Sequence, residues 1–308
     1  MTVAMSITLS ELRKRFEQAG YICSENTALT VFLALELQKP LLIEGAPGVG
    51  KTEMGKVLAE ILKADLIRLQ CYEGLDETKA LYEWNYQRQL LRIQMNRSLE
   101  EKQIREEDLF SSDYLLERPL LKAIQSDEPA VLLIDEVDKC DPEFEAFLFE
   151  VLSDFQVSIP ELGTITARNI PVVVLTSNNE RELSDGLKRR CLYLYLDFPD
   201  VEKEVEIIKA KVPLIADGLA WETARVVAVL RQQQDLRKKP SIAETLDWAR
   251  ALVSLNRKRL DGKLVASTLN LILKTRADQQ YFDREIGPEG IDRIIRQSGN
   301  GGEISRCQ

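Results

Sequence analysis

The sequence contains no histidine, and this absence removes imidazole both as a catalytic base and as a metal ligand. Its five cysteines are scattered, with no Cys-x-x-Cys pair, so we expect neither a zinc site nor a disulfide framework. Acid–base chemistry must therefore fall to carboxylates, and any bound metal is expected to be a hard cation held by oxygen atoms.

Long apolar runs and excess positive charge are also missing. No stretch approaches the ~20 apolar residues of a membrane span, and the N-terminus lacks a signal-peptide pattern, so we expect a cytoplasmic protein without a membrane span. The net charge of −9 argues against a nucleic-acid partner, because binding a polyanion requires a basic surface. The length of 308 residues is sufficient for about two domains.

A phosphate-binding loop is indicated by the segment PLLIEGAPGVGKT at residues 40–52. A short apolar run, typical of a strand, precedes two glycines five positions apart and then Lys51 and Thr52. Loop N–H groups and the start of the next helix would hold phosphate oxygens, Lys51 would reach the β and γ phosphates, and Thr52 would ligate Mg²⁺. A plain glycine-rich turn has no need of Lys followed by Thr. The predicted nucleotide-binding residues are Gly45, Ala46, Pro47, Gly48, Val49, Gly50, Lys51, Thr52 and Asp135.

Two adjacent carboxylates, Asp135 and Glu136, follow the fully apolar run at residues 130–134. We expect this run to form the strand beside the loop strand. Carboxylates at the end of a buried strand are unfavourable unless they face a cation or a reacting water. Asp135 is therefore predicted to hold Mg²⁺, and Glu136 to orient and deprotonate the attacking water. Asn178, after the next buried strand, is the predicted partner of that water or of the γ-phosphate.

Strands and helices alternate as far as residue 198, which predicts a doubly wound parallel five-stranded sheet with the ligand at the carboxyl ends of the strands. An insertion at residues 71–113 interrupts the pattern; it is either a functional arm or a solvated helical arm pinned by its aromatic residues. After it, we predict a helix over 115–125 and a β-hairpin over 156–167.

The strand pattern stops after residue 198. Residues 199–297 predict a small all-α domain, with a capping box at Ser241 and Glu244 and its last helix at 264–276. Residues 298–308 are expected to form a flexible tail.

Together these motifs resemble the AAA+ class of ATPases, a P-loop NTPase fold followed by an all-α lid. The insertion, the hairpin and the arginine-rich segment before Asp197-Phe-Pro resemble the MoxR branch, and especially its CoxD-like members, encoded beside genes for carbon monoxide dehydrogenase maturation. The resemblance covers about residues 24–280. It is carried by Gly45–Thr52, Leu132–Glu136, Thr176–Asn178 and Arg189–Cys191.

The resemblance implies ATP and Mg²⁺ as cofactors and a homo-oligomeric ring, usually a hexamer, with ATP at the subunit interfaces. Arg190 would reach across to the γ-phosphate of the neighbouring subunit, or Arg189 would do so. For one of the two, solvation of a helix end is an equally good explanation. The lid arginine expected in this family is replaced by Ala243, and Lys238 or Lys239 could substitute for it.

The resemblance also implies a molecular chaperone that remodels or activates a client protein, with metallocofactor maturation as one such role and a von Willebrand factor A domain protein as partner. Glu161 and Leu162, at the tip of the hairpin, are candidates to touch the client in the central pore. Two alternatives stay open: an ATP-gated binding adaptor with little turnover, and a nucleic-acid-associated AAA+ motor, which the acidic net charge disfavours.

Overall fold

The computed structural model describes residues 7–99 and 106–297 of the chain. The chain divides into two compact units. The first takes its described residues from Met1–Ala19, Cys23–Gly45 and Lys51–Leu196, and the second from Gly20–Ile22, Ala46–Gly50 and Asp197–Gln308. The domain limits expected from the sequence, 1–198 and 199–297, stay predictions. The expected tail at 298–308 and residues 100–105 of the insertion lie outside the described residues.

A five-stranded parallel sheet forms the centre of the first unit, as predicted. Two further antiparallel pairs, β3 with β4 and β6 with β7, lie outside it, and the second pair is the predicted hairpin. The nine strands of the described residues are β1 (Leu41–Gly45), β2 (Asp65–Gln70), β3 (Tyr82–Trp84), β4 (Leu115–Glu117), β5 (Ala130–Asp135), β6 (Gln156–Ile159), β7 (Gly163–Thr166), β8 (Val172–Ser177) and β9 (Leu192–Leu196).

The strand order is β2–β5–β8–β1–β9, so the expectation that the strand before Asp135 lies beside the loop strand is wrong. Strand β8 separates the two: it pairs with β5 on one side and with β1 on the other. An apolar run shows that a strand is buried on both faces, but it does not show which strands are its neighbours. All five carboxyl ends still lie along one edge of the sheet, because every pairing is parallel.

Some helices of the first unit pack directly on this sheet. Strands β1 and β5 are buried along their whole length. Helix α3 approaches β5 so closely that a Cβ atom added at Gly55 would lie 2.9 Å from Leu133 Cδ1. The helices are α1 (Leu9–Gln18), α2 (Glu25–Glu36), α3 (Lys51–Leu62), α4 (Glu77–Ala80), α5 (Tyr86–Leu99), α6 (Glu106–Leu109), α7 (Pro119–Gln125), α8 (Pro142–Asp154) and α9 (Asp185–Arg190).

The predicted helix at 115–125 is correct only in its second half. Residues 115–117 form strand β4, paired with β3, and helix α7 begins at Pro119. Proline favours the first position of a helix, where no backbone N–H is required. The ribbon of β3 and β4 is anchored by Trp84, which is buried and packs edge-on against Phe110 with 5.2 Å between the ring centroids.

The second unit has its own apolar core, centred on the fully buried Trp248. The predicted capping box at Ser241 and Glu244 is confirmed. The prediction of one helix over 264–276 is wrong. The α-helix ends at Thr268, and a new helix starts after Thr275, whose side chain caps it. Its helices are α10 (Val201–Lys211), α11 (Asp217–Gln232), α12 (Ile242–Ser254), α13 (Gly262–Thr268), α14 (Arg276–Tyr281) and α15 (Gly287–Gln297).

The side chain of Thr268, the last residue of α13, is hydrogen-bonded in two directions. Its hydroxyl accepts a hydrogen bond from Trp248 Nε1 at 2.9 Å and donates to the carbonyl of Leu264 at 2.7 Å. The side chain is therefore committed to the indole and to the preceding turn. A membrane-crossing helix is absent from the part of the chain that the structure describes, since none of its helices is both long and apolar enough.

Candidate functional site

Lys51, the first residue of α3, is aimed back at the end of the loop strand. Its ammonium donates to the Gly45 carbonyl at 2.7 Å and to Asn178 Oδ1 at 2.8 Å, and the residue is buried. Burial lowers the pKa of Lys51, while the negative charges of Asp138, Asp135 and Glu136 oppose this effect. The strand ends thus hold a charged group that is poorly solvated and ready to bind an anion.

Asp135 ends β5 and is 2% exposed, yet both of its carboxylate oxygens are occupied. Oδ1 accepts from Thr52 Oγ1 at 2.9 Å and from Thr176 Oγ1 at 2.5 Å. Oδ2 accepts from the half-exposed Arg68 at 2.5 Å. Thr52 and Asp135, the two predicted magnesium ligands, are thus in direct contact with each other.

Glu136 lies beyond the end of β5 in the left-handed backbone region, with φ of 58°. This conformation is uncommon for a residue with a Cβ atom and is found at sites where the surroundings impose it. Its N–H donates to Thr176 Oγ1 at 2.9 Å, and its Oε2 accepts from Gln70 Nε2 at 2.9 Å and from Lys139 Nζ at 2.7 Å. The hydrogen bond to Glu136 raises the pKa of Lys139.

Arg68, Gln70, Thr176 and Asp138 were not among the predicted site residues. Gln70 is the last residue of β2 and lies opposite Asp135 in the parallel register. Arg68 and Gln70 alternate with buried apolar residues along β2, which places both on one face of the sheet. This alternation was the available signal, but only the strand order shows that the face adjoins Asp135.

The loop residues Ala46–Gly50 group with the second unit. Gly48 takes a positive φ of 76°, and its carbonyl accepts from the N–H of Ile242 at 3.2 Å. A Cβ atom at this position would lie 2.4 Å from the Cβ of Ser241, so only glycine fits. Pro47 is exposed and Val49 is buried.

The expected lid position, Ala243, is exposed on the first turn of α12. Lys238 and Lys239 are exposed as well, and the N–H of Lys238 donates to Asp278 at 3.3 Å. The arrangement gives neither lysine a specific role at the loop.

The two arginines of the short helix α9 differ in their surroundings. Both are exposed, but the guanidinium of Arg190 lies over the Phe149 ring at 4.3 Å from its centroid. Cation–π contacts of this kind hold a guanidinium in place without neutralising it. Arg190 is therefore oriented by its own subunit, and its charge is retained.

The oxygen atoms of Thr52 and Asp135 fit a magnesium ion. Mg²⁺ in nucleotide sites is held by one or two protein oxygens, with phosphates and water completing its shell. Among the described residues no group of three or more His, Cys, Asp or Glu side chains could hold a metal by itself.

Residues 40–191 match the family model of the AAA domain (dynein-related subfamily). Together with the five-stranded parallel sheet and the helical unit after it, this match defines the fold as that of an AAA+ P-loop NTPase. The matched segment contains every predicted site residue from Gly45 to Arg190.

The similar proteins include an uncharacterized protein of Staphylococcus aureus (strain bovine RF122 / ET3-1), 26% identical over 76% of this chain and 84% of its own length. The gas vesicle ATPase GvpN1 of Halobacterium salinarum is 25% identical over 66% of this chain and 59% of its own length. A solved structure of the RuvB Holliday junction branch migration motor of Thermotoga maritima has a TM-score of 0.47 and 20% identity, and the match covers 91% of this chain and 83% of that one.

Proposed function

We propose that this protein is a Mg²⁺-dependent ATPase that converts ATP and water to ADP and phosphate. The observation that carries the proposal is the convergence of Lys51, Thr52, Asp135 and Asn178 at the carboxyl edge of the sheet. These residues come from three different parts of the chain, and the phosphate-loop motif immediately precedes the first of them. A strand-to-helix turn without a ligand would not need a buried lysine bonded to an asparagine that follows a separate strand.

Each residue has a defined part in this chemistry. The loop from Gly45 to Gly50 would hold the phosphates through its backbone N–H groups, and Lys51 would bind the β and γ phosphates. Thr52 and Asp135 would hold Mg²⁺, which supplies positive charge to the phosphates when bound. Glu136 would accept a proton from the attacking water, and Asn178 would orient that water or the γ-phosphate.

The active form is proposed to be a homo-oligomeric ring, a hexamer, in which one subunit completes the site of the next. AAA+ proteins commonly act as such rings, and Arg190 is the preferred candidate to reach the neighbour's γ-phosphate, with Arg189 as the alternative. The isolated subunit would then be a poor ATPase.

The ring is proposed to act as a MoxR-type chaperone, which remodels or activates a client protein. Metallocofactor maturation is the proposed setting for this activity. The support is the family resemblance of the insertion and of the hairpin β6–β7. A von Willebrand factor A domain protein is the proposed partner. Glu161 and Leu162, between the two hairpin strands, are the proposed client contacts in the pore.

Steady-state phosphate release tests the catalytic proposal. Glu136→Gln should lower turnover by about 10² to 10⁴ while ATP still binds, because only the proton acceptor is removed. Lys51→Ala should abolish ATP binding. Glu150→Gln, which changes an exposed glutamate on α8, is the matched control and should behave as wild type. Normal turnover in both Glu136→Gln and Lys51→Ala would refute the assignments.

The ring and its client are tested separately. Light scattering with a non-hydrolysable ATP analogue should show an assembly of about six subunits; a protein that stays monomeric contradicts the ring. Glu136→Gln held in ATP should retain the client in a pull-down that Lys51→Ala does not. If ATP drives assembly but phosphate release stays negligible even with the partner, the protein is an ATP-gated adaptor.

A further inference from the structure

Asp138 is a buried carboxylate that the catalytic proposal does not use. It lies in the short 3-10 turn Val137–Lys139, two residues after Glu136, and is 4% exposed. Its Oδ2 accepts two backbone hydrogen bonds, from the N–H of Asn178 at 3.1 Å and from the N–H of Glu180 at 2.9 Å. Its Oδ1 is buried without a hydrogen-bond partner.

The two N–H groups belong to the loop that follows β8. Asn179, between them, takes the left-handed conformation with φ of 59°, and its own N–H donates to Ser177 Oγ at 3.0 Å. This conformation turns the N–H groups on either side of Asn179 toward one acceptor. The side chain of Asn178 then meets Lys51 Nζ at 2.8 Å. One carboxylate thus connects the end of β5 to the loop that carries Asn178.

We propose that Asp138 is a positioning residue of the ATPase, which fixes the backbone at Asn178 so that its amide stays on Lys51 and faces the reaction. The inference rests on the proposed ATPase function and names a residue outside the predicted catalytic set. Asp138 acts through its hydrogen bonds, and its charge is not required for this role.

The geometry allows these two properties to be separated. Only one oxygen of Asp138 is used, so asparagine can present its amide oxygen to both N–H groups and place its NH₂ where Oδ1 now lies. Asp138→Asn therefore keeps the acceptor and removes the charge, and Asp138→Ala removes both. If Asp138 acted instead through the electrostatic effect of its charge on Lys51, both variants would lose that effect equally.

The test compares ATP turnover of Asp138→Ala, Asp138→Asn, Asn178→Ala and the double variant Asp138→Ala/Asn178→Ala. Asp138→Ala should lower kcat by about 10²-fold, as Asn178→Ala does, with KM for ATP changed less than about threefold. Asp138→Asn should restore kcat to within about threefold of wild type. In the double variant the two losses should not add, because Asp138 acts through Asn178.

Each of the opposite results overturns the proposal. These are a wild-type kcat in Asp138→Ala, a further loss of about 10²-fold when Asp138→Ala is added to Asn178→Ala, and an Asp138→Asn variant as inactive as the alanine variant. The control for simple destabilisation is Glu222→Ala in the second unit, a buried carboxylate that accepts the N–H of Leu260 at 2.7 Å. It should lower the unfolding temperature but leave kcat unchanged.

Amide hydrogen exchange gives a readout that does not depend on ATPase activity. In Asp138→Ala the amides of Asn178 and Glu180 should exchange at least about tenfold faster, and in Asp138→Asn they should stay protected. Unchanged exchange in the alanine variant refutes the positioning role. If exchange responds as expected but the wild-type protein never releases phosphate, the ATPase proposal has failed, and the structural connection from Asp138 to Asn178 stands.

Discussion

In the second unit, Arg231 and Glu204 form an ion pair that is enclosed by protein. The guanidinium makes two hydrogen bonds to the carboxylate, at 2.6 and 2.8 Å, and a third to the Pro240 carbonyl, and it lies over the Phe198 ring. The residues are 7% and 0% exposed. Every polar group of the pair already has its partner inside the unit.

The charges at the candidate site of the first unit are held differently. Asp135 is buried, but its partner Arg68 is half exposed, and Glu136 is bonded to Lys139 with both side chains about one-third exposed. An ion-pair partner that is exposed to solvent binds the opposite charge weakly. It can therefore be displaced from that charge at a small cost in free energy. We infer that a closed ion pair maintains the fold of the second unit, whereas Asp135 and Glu136 of the first unit have ion-pair partners that a ligand can replace.

The largest expected effect concerns Arg190, whose proposed partner is the γ-phosphate bound by the neighbouring subunit. Arg190→Ala should lower ATP turnover by about 10³ to 10⁵, because an arginine supplied in trans stabilises the transferring phosphate. Arg189→Ala should have a much smaller effect. Mixing Arg190→Ala with Glu136→Gln subunits should recover part of the activity, since some interfaces are then complete. No recovery, or the larger loss in Arg189→Ala, would reassign the trans residue.

The second test breaks the closed pair. Arg231→Ala should lower the free energy of unfolding by about 3 to 5 kcal/mol, since it leaves Glu204 buried and unpaired. The same substitution in an exposed pair, Arg168→Ala opposite Asp127, should cost no more than about 1 kcal/mol. Urea unfolding of both variants measures the difference. Equal losses would show that enclosure does not distinguish the two pairs.

The third test uses the lowered pKa of Lys51. Burial lowers this pKa below its ordinary value of 10.5, so the folded chain binds fewer protons than the unfolded chain between the two values. The free energy of unfolding should therefore rise with pH across this window. ATP affinity should fall in the same window, by about tenfold per pH unit once the ammonium deprotonates. Calorimetric titration of Lys51→Arg, which stays charged, should show no such fall.

The smallest test asks whether Arg68 can be displaced from Asp135. Arg68→Gln should raise the affinity for Mg²⁺ in the presence of ATP by up to about fivefold, because a half-exposed ion pair is worth at most about 1 kcal/mol. Turnover measured against Mg²⁺ concentration gives the affinity. A weaker response to Mg²⁺ in this variant would mean that Arg68 helps to bind the nucleotide.

The sequence sufficed for those parts of the fold and site that depend on neighbouring residues. The segment from Gly45 to Thr52 and the pair Asp135-Glu136 are adjacent along the chain, and the apolar strand runs beside them are continuous. Their positions at the ends of strands followed from these continuous apolar runs. The capping box at Ser241 was predictable for the same reason, since it needs only a residue three positions away.

The remainder depends on contacts between distant residues. Gln70 reaches Glu136 across 66 positions and Asp138 reaches Asn178 across 40, and nothing in the intervening sequence indicates either contact. The sequence also does not show that β8 lies between β5 and β1, because a buried strand has the same apolar pattern whatever its neighbours are. The hydrogen bond from the indole of Trp248 to Thr268, twenty positions away, is likewise not indicated by the sequence.

One glycine of this protein looks like a good position for a stabilising substitution, but its surroundings oppose the change. Replacing glycine by alanine inside a helix usually gains up to about 1 kcal/mol, and Gly55 lies inside α3. Here the added methyl group would meet Leu133 at 2.9 Å. Either the Leu133 side chain or helix α3 would have to shift, and a shift of the helix would disturb the 2.9 Å contact of Thr52, one turn earlier, with Asp135. Gly55→Ala should therefore be judged by its effect on ATP turnover as well as by its effect on the unfolding temperature.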